Sequence, residues 1–388
     1  MLFDASRALE HIRSISFPRL SSSPGERRAG DYIISELKSF GLQPKVQSFS
    51  YSLFPYAIVL KASLIFQVFL LLYSISICVE VPFLAGCLAV FLIAYTLKST
   101  RWGSLFEVTY DIGPKRSSRN IYERISGEDP HTNIIFLAHY DSKSQTIPIL
   151  FRVLFYSLFY LGMLCLSLLL LALMVTGLCD YFREGLMHAG VIVSLFTLPV
   201  VFNFTKNSSP GALDNASGVG IVLELARTFA SRPPVGLDIT FLFTGAEEVG
   251  LAGAIRYMQR MGFTYNGRRT FCVSYDGAGA KGKLRLTSRY GIPPVRTSRE
   301  LVSLAKELCK ARNIDCVETY LPVGAGLEQT PISYRGFEVI TIHSGKLDRT
   351  VLSIHSKNDR PDGIDTRAVE RCGHLGEVVA HTLAKRKK

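Results

Sequence analysis

The chain has 388 residues, of which 48% are hydrophobic and 20% charged, and its mean hydropathy is +0.22. This composition allows a sizeable buried core and exceeds the hydropathy that a purely soluble domain needs, so we expect part of the chain to lie in lipid. The net charge of +12 does not indicate nucleic-acid binding, because outside the tail at 385–388 the basic residues are scattered and no recognition helix accompanies them. A domain held against anionic lipid accounts for this charge better.

Apolar segments long enough, or nearly long enough, to span a bilayer pair into two hairpins with tips at 78–82 and 180–184. The four segments are 56–77, 81–97, 153–179 and 186–205. Both hairpins begin and end on the same side, so one soluble domain made of 1–54, 98–148 and 206–388 remains undivided, with hairpins at 55–97 and 149–205. Positive residues near the spans lie on the domain side, which predicts an integral membrane protein whose soluble domain is cytoplasmic. These residues include Lys45, Lys98, Arg101, Arg152 and Lys206.

The eight cysteines show no CxxC motif and no spacing typical of metal ligands. Half of them lie in or beside the predicted spans, at Cys78, Cys87, Cys165 and Cys179. We expect all eight to be reduced and structural.

Strand and helix patterns alternate along the soluble segments. Short apolar runs at 133–138, 237–243, 270–275 and 338–342 are typical of strands buried on both faces. Apolar stripes predict helices at 219–229, 251–261 and 300–313. A helix at 26–40 and strands at 44–51, 106–111 and 120–125 are also expected. The alternation predicts an α/β fold, a mostly parallel doubly wound sheet with helices on both faces.

Polar residues directly follow three of the apolar strands. His139 and Asp141 end the first, Glu247 and Glu248 come just after the second, and Asp276 closes the third. Ligands bind outside the carboxyl ends of strands in open parallel sheets, so these are candidate site residues. If the first strand continues, His139 and Asp141 share a face, where the carboxylate can orient an imidazole that binds a metal.

Two more candidates lie in loops. Asp214 stands in the run PGALDNASG before a striped helix. A helix cap is its simplest role, but Asn215 and Ser217 already offer capping oxygens, which leaves Asp214 free to bridge two cations. His355 stands in LSIHSKND and is followed by acidic residues, whereas His343 lacks that context and is interpreted as structural.

Each candidate alone has an ordinary explanation, such as a hydrogen-bonded histidine, a solvated acidic pair or a turn-forming aspartate. Five such segments at strand ends or loops of one sheet are hard to attribute to chance. Two histidines and four carboxylates suit zinc. A two-metal hydrolase needs one carboxylate to hold metal and a neighbour to accept a proton, a division that adjacent glutamates can provide.

With these residues in place, the chain resembles the co-catalytic zinc aminopeptidases of clan MH, the group of bacterial leucyl aminopeptidase and aminopeptidase Y. The matching motifs occur in the family's order. They are AHYDS at 138–142, PGALDNASG at 210–218, GAEEVGLAGA at 245–254, YDGAG at 275–279 and IHSKNDRPDGID at 354–365. The resemblance covers the soluble segments, and the two hairpins are insertions in it.

The resemblance implies two zinc ions and a role for each candidate. His139, Asp214 and Asp276 would hold one zinc, and Asp214, Glu248 and His355 the other. Glu247 would be the general base and Asp141 the orienter of His139. A metal-bridging hydroxide would attack the first peptide bond of substrates with a free N-terminus.

Two other functions remain open. A glutaminyl cyclase-like acyltransferase with one zinc shares the sheet, but its relatives usually lack the Asp-Asn-Ala-Ser-Gly run and tend to have Trp where Ile354 stands. A non-catalytic membrane scaffold of the same fold would be marked by lost ligands, and none of the expected ligands is missing here. The oligomeric state is not predicted.

Overall fold

The computed structural model describes residues 2–101, 110–265, 267–324 and 326–386. The strands are β1 (Lys45–Ser52), β2 (Lys115–Ser126), β3 (Thr132–His139), β4 (Ser144–Gln145), β5 (Thr205–Lys206), β6 (Leu237–Thr244), β7 (Arg269–Tyr275), β8 (Lys283–Tyr290), β9 (Val295–Arg296), β10 (Cys316–Leu321) and β11 (Glu338–Gly345). β4 pairs only with β5, and the others form one sheet in the order β1-β2-β6-β3-β7-β11-β8-β10, with β9 beside β8.

The helices alternate with the strands as the sequence predicts. They are α1 (Ala5–Ile15), α2 (Pro24–Ser39), α3 (Pro55–Ser76), α4 (Pro82–Ser99), α5 (Ile149–Thr176), α6 (Cys179–Val201), α7 (Ser217–Ala230), α8 (Ala252–Met261), α9 (Glu300–Ala311), α10 (Gln329–Tyr334), α11 (Arg349–Leu352) and α12 (Thr366–Lys385). Short 3₁₀ turns occur at Gly262–Tyr265 and Pro361–Gly363.

The centre of the sheet is parallel and covered on both faces. β6, β3, β7 and β11 run parallel, and β1, β2 and β8 add antiparallel pairs on either side. Every residue of β3 and of β6 is buried, because one face packs on α1, α7 and α12 while the other packs on α8 and α10. The predicted α/β fold is confirmed, and the carboxyl ends of four parallel strands meet at one edge.

In the part of the chain that the structure describes, four helices are long and apolar enough to cross a membrane: α3 with 22 residues, α4 with 18, α5 with 28 and α6 with 23. They form a cluster of their own through residues such as Leu71, Leu92 and Met163. The tip of the second hairpin is shorter than predicted. The chain turns at Gly177 and Leu178, and Asp180 already lies in the first turn of α6.

The two hairpin tips are joined. Cys78 and Cys179 form a disulfide, and Arg183 Nη1 lies 2.7 Å from Glu80 Oε1. The expectation that all cysteines are reduced is therefore wrong for this pair, because the folding of the hairpins brings two distant sulfur atoms together. The other six cysteines are free.

Each hairpin leaves the soluble part and re-enters it at neighbouring points. For the first hairpin, Ser52 at the end of β1 pairs with Lys115 at the start of β2. For the second, Gln145 pairs with Thr205 in the short β4–β5 ladder. The predicted strand at 106–111 falls largely outside the described residues, and β8, β10 and α12 were not predicted.

Candidate metal centre

All seven predicted site residues come together at the carboxyl edge of the parallel strands. Two groups have ligand atoms within 4.8 Å of one another, namely His139, Asp214 and Asp276, and Asp214, Glu248 and His355. We call these the first and second triads. Asp214 belongs to both, since its Oδ1 lies 3.3 Å from His139 Nε2 and its Oδ2 lies 2.9 Å from His355 Nε2. Glu247 belongs to neither triad, although its Oε2 lies 3.8 Å from His139 Nε2.

Asp141 organises the acidic pair as well as His139. Its two carboxylate oxygens accept hydrogen bonds from the backbone N–H groups of Glu247 and Glu248, both at 3.1 Å. Its Oδ1 also lies 3.6 Å from Nδ1 of His139. Asp141 is fully buried, so it fixes the turn after β6 relative to the end of β3.

Asp214 is positioned by a second buried carboxylate. The N–H groups of Leu213 and Asp214 donate to the two oxygens of Asp359, at 2.7 and 3.1 Å. Asn215 Oδ1 accepts from the N–H of Gly218 at 3.0 Å, so Asn215 caps α7 in the place of Asp214. The cap leaves the Asp214 carboxylate available to both triads.

Arg19 holds the surrounding loops. Its guanidinium is fully buried and donates to the carbonyls of Tyr140 at 2.6 Å, Gly211 at 2.7 Å and Pro210. One side chain thus joins the loop after β3 to the loop that carries Asp214.

Two cations lie against the second triad. Lys143 Nζ lies 2.9 Å from Glu248 Oε2, and the Lys143 N–H donates to Glu248 Oε1 at 3.1 Å. Arg152, in the first turn of the apolar helix α5, places Nη1 3.0 Å from Nδ1 of His355. The second hairpin therefore reaches the outer side of a candidate ligand.

The two glutamates ionise differently. Burial raises the pKa of Glu247 well above its usual range, and the Glu248 and Asp276 carboxylates raise it further, although His139 opposes them. Burial acts on Glu248 too, but Lys143 and His355 outweigh it together and bring the pKa of Glu248 down to about 2. A negative Glu248 suits a ligand, and a Glu247 that retains a proton readily suits proton transfer.

The first triad shows the feature expected of a metal site. Among the described residues, Nε2 of His139 is buried without a hydrogen-bond partner, although carboxylate oxygens of Asp214 and Asp276 lie 3.3 and 3.9 Å away. A ring nitrogen aimed at several carboxylates beyond normal hydrogen-bond distance is explained by a cation between them. Imidazole and carboxylate ligands together suit zinc.

A cavity of about 570 Å³ opens from the triads. It is bordered by the candidate ligands at one end and continues along the sheet over β8, β10 and β11. The opposite wall comes from the apolar helices α3 and α5, through residues such as Tyr56, Arg152, Tyr156 and Tyr160. The hairpins thus form part of the candidate site.

Sequence reasoning missed four supporting residues: Arg19, Lys143, Arg152 and Asp359. The sequence offered an indication for Lys143 and Asp359, since each lies within four residues of a predicted ligand. Arg19 and Arg152 carried none, because both reach the site through tertiary packing from distant segments.

The comparisons with known proteins agree with this geometry. The model of Peptidase family M28 matches residues 191–380. Aminopeptidase YwaD of Bacillus subtilis (strain 168) is 45% identical over 53 residues, which are 14% of this chain and only 11% of that relative's length.

Solved structures share the fold. BSAP, a zinc aminopeptidase from Bacillus subtilis, aligns with a TM-score of 0.56 at 14% identity over 100% of this chain and 96% of its own. Glutaminyl cyclase from Porphyromonas gingivalis aligns with a TM-score of 0.54 at 16% identity over 98% of each chain. Residues 191–380 thus match the model of peptidase family M28, and the chain shares its fold with solved zinc aminopeptidases.

Proposed function

We propose that this protein is a membrane-bound, zinc-dependent aminopeptidase that removes N-terminal residues from peptides. One observation carries the proposal: two triads share Asp214, and Glu247 stands beside them without belonging to either. Two zinc ions, one in each triad, would supply Lewis-acid polarisation of the peptide carbonyl and a more acidic water.

The chain's own residues divide the remaining work. Glu247 accepts the proton of the attacking water and passes it to the leaving amine, because it is the carboxylate of the pair left outside the triads. Asp141 and Asp359 are positioning residues, since they bind the backbone that carries Glu247, Glu248 and Asp214. The free N-terminus of the substrate is expected at this acidic end of the cavity.

Glutaminyl cyclisation is the second candidate, supported by the likeness to the Porphyromonas gingivalis enzyme. A one-zinc cyclase has no need of two complete triads. The shared Asp214 therefore favours the peptidase.

The proposal includes the arrangement in the membrane. We assign 1–54, 98–148 and 206–388 to one peptidase domain and the hairpins at 55–97 and 149–205 to the bilayer. This assignment agrees with the strand pairs Ser52–Lys115 and Gln145–Thr205, which join the two ends of each hairpin. Lys98, Arg101, Arg152 and Lys206 on the domain side favour a cytoplasmic domain. The disulfide at the opposite hairpin tips supports the same sidedness, because disulfides persist in oxidising compartments.

The test combines metal content with two assays on detergent-purified protein. We expect about two zinc ions per chain by mass spectrometry and hydrolysis of leucyl p-nitroanilide. Glu247→Gln should lower kcat by about 100- to 10,000-fold while retaining the metal. Glu307→Gln, on the exposed face of α9, is the matched control and should change neither.

Three outcomes contradict the proposal. One zinc with cyclisation of glutaminyl peptides would favour the cyclase. Metal binding with no turnover of either substrate would favour a scaffold. Unchanged hydrolysis in Glu247→Gln would remove Glu247 from its role.

A further inference from the structure

The cavity has opposite charges at its two ends. The triads and Glu247 make one end acidic, and Arg285 on β8 lines the cavity farther along the sheet. Arg285 is half-buried, and its Nε donates to the carbonyl of Gly345 at 2.9 Å. No carboxylate pairs with it in the part of the chain that the structure describes.

The other two cavity cations are already engaged. Lys143 pairs with Glu248, and Arg152 contacts His355. Arg285 is therefore the cavity cation that is available for a negative group of a ligand. A half-buried guanidinium favours a carboxylate, which it can bind through two parallel hydrogen bonds.

Strand register gives the spacing between the two ends. Tyr275, which precedes Asp276, pairs with Ile342 on β11, and Ile342 pairs with Leu286 beside Arg285 on β8. Two strand spacings separate these backbones by about 10 Å. An extended peptide advances about 3.4 Å per residue, so three residues cover this distance.

The surface between the ends offers polar groups that suit a peptide backbone. Thr341 on the intervening strand β11 lines the cavity, and its buried Oγ1 has no hydrogen-bond partner among the described residues. Thr287, paired with Thr341 across the strands, lines the same cavity, but its Oγ1 is already engaged by Thr319 Oγ1 at 2.8 Å and His343 Nε2 at 2.9 Å, so Thr341 is the hydroxyl available to a peptide. A hydroxyl can both donate to a peptide carbonyl and accept from a peptide N–H.

The opposite wall stands at the membrane surface. Helix α5 has 28 residues and is about 42 Å long, which exceeds the roughly 30 Å apolar core of a bilayer by about eight residues. Ile149, Arg152 and Tyr156 lie in the first turns of α5, on the domain side of the proposed span, and line the cavity. Side chains of a bound peptide would pack on this apolar and aromatic wall.

We infer that Arg285 binds the C-terminal carboxylate of short peptides of about three residues, with their N-terminus at the triads. The inference rests on the proposed aminopeptidase function and adds the substrate class. Longer peptides and peptide amides cannot place a terminal carboxylate at Arg285, so they are poorer substrates.

The experiment compares Leu-Gly-Gly with its C-terminal amide and with leucyl p-nitroanilide, using the full chain loaded with zinc. The wild type should hydrolyse the free acid with a kcat/KM about 10- to 100-fold above that of the amide, the value of a charge-assisted hydrogen bond to a carboxylate. It should also prefer the tripeptide acid to Leu-Gly and to a leucyl hexapeptide.

Arg285→Met should remove the preference for the acid over the amide and leave anilide hydrolysis unchanged. Arg285→Lys should keep part of the preference. Arg296→Met, on neighbouring β9 and exposed outside the cavity, is the matched control and should keep all of it.

A second measurement does not depend on turnover. Calorimetric binding of Leu-Gly-Gly to Glu247→Gln should weaken about 10- to 100-fold when Arg285→Met is added, and binding of the amide should stay unchanged. Equal hydrolysis of acid and amide by the wild type, or equal losses on all substrates in Arg285→Met, would overturn the inference while leaving the aminopeptidase intact. Absence of anilide and peptide hydrolysis in the wild type would instead reject the proposed function.

Discussion

Asp141 is the buried carboxylate on which the acidic pair depends. Replacing it with Asn keeps the size but puts an amide NH₂ against one of the two N–H groups that Asp141 now accepts from. An unsatisfied buried N–H costs about 1–3 kcal/mol. We expect Asp141→Asn to lower the free energy of unfolding by that amount in denaturant titrations.

Activity should also fall, because Asp141 positions both the candidate ligand Glu248 and the proposed base Glu247. The loss of such an outer partner typically costs about 10- to 100-fold in metal affinity or activity. Asp362→Asn, an exposed aspartate in the loop after His355, is the control. Equal effects in both variants would show that Asp141 has no special position.

His11 provides a pH-dependent term in stability far from the triads. Burial, and then the charges of Arg7 and Arg227, lower its pKa from 6.5 to about 4. The unfolded chain therefore binds more protons between pH 6.5 and 4, so the contribution of His11 to stability is complete above that window and is lost as the pH falls through it. At pH 5 the loss is about 2 kcal/mol.

The measurement is thermal unfolding of the wild type and of His11→Gln at pH 7.5 and pH 5.0, in chelator so that metal release plays no part. The wild type should lose more stability than His11→Gln between the two pH values. His381→Gln, at an exposed position near the end of α12, should follow the wild type. A parallel fall in His11→Gln would refute the assignment.

The sequence indicated the seven candidate residues that the structure brings together, because each lies at a strand end or in a motif of residue types that zinc chemistry requires. The sequence could not predict the proposed role of Arg285 in binding a substrate carboxylate. That role depends on the antiparallel pairing of β8 with β11, which brings a distant segment to within two strands of Asp276. The contact of Arg152 with His355 likewise depends on tertiary packing, because it brings the apolar helix α5 over the sheet.

At the level of elements, the strands predicted from continuous apolar runs include strands that are buried on both faces, such as β3 and β6. The strand β8 was missed because it alternates: Leu284 and Leu286 are buried in the core, while Arg285 faces the cavity. A pattern of continuous apolar residues detects strands between two layers of helices and overlooks one whose face borders a cavity.

The contact between α1 and α7 depends on Gly220. A Cβ at this position would lie 2.6 Å from the backbone oxygen of Ala8 and 2.7 Å from Ile12 Cγ1. Gly220→Ala should therefore destabilise the protein by about 1–3 kcal/mol despite the better helix propensity of alanine. Urea denaturation measures the change.

Gly185→Ala is the matched control for this helix contact. Gly185 also lies in a helix, α6, and a Cβ there meets nothing within 4 Å. It should leave stability unchanged or raise it by up to about 1 kcal/mol. A neutral Gly220→Ala would mean that α1 moves away from α7 without cost.

At the scale of the whole molecule, the four long apolar helices could be predicted from apolar length alone, and the joined hairpin tips could not. Cys78 and Cys179 are 101 residues apart, and their pairing requires the two hairpins to pack side by side. The same packing brings α5 against the sheet and closes the cavity. One arrangement of four helices thus determines both the covalent link and the cavity wall.

The proposed sidedness makes a prediction for the intact membrane. The variants keep Cys78 and Cys179, and their six free cysteines are replaced. A single new cysteine then replaces either Glu184, near the hairpin tip, or Lys306, on the peptidase domain; both positions are exposed. A membrane-impermeant maleimide should label Glu184→Cys in intact cells and Lys306→Cys only after permeabilisation, because the disulfide and the flanking positive charges place the tips on the oxidising side. Labelling of Lys306→Cys in intact cells would show that the topology is the reverse of the proposed one, with peptide hydrolysis outside the cytoplasm. It would also leave the disulfide on the reducing side without an explanation.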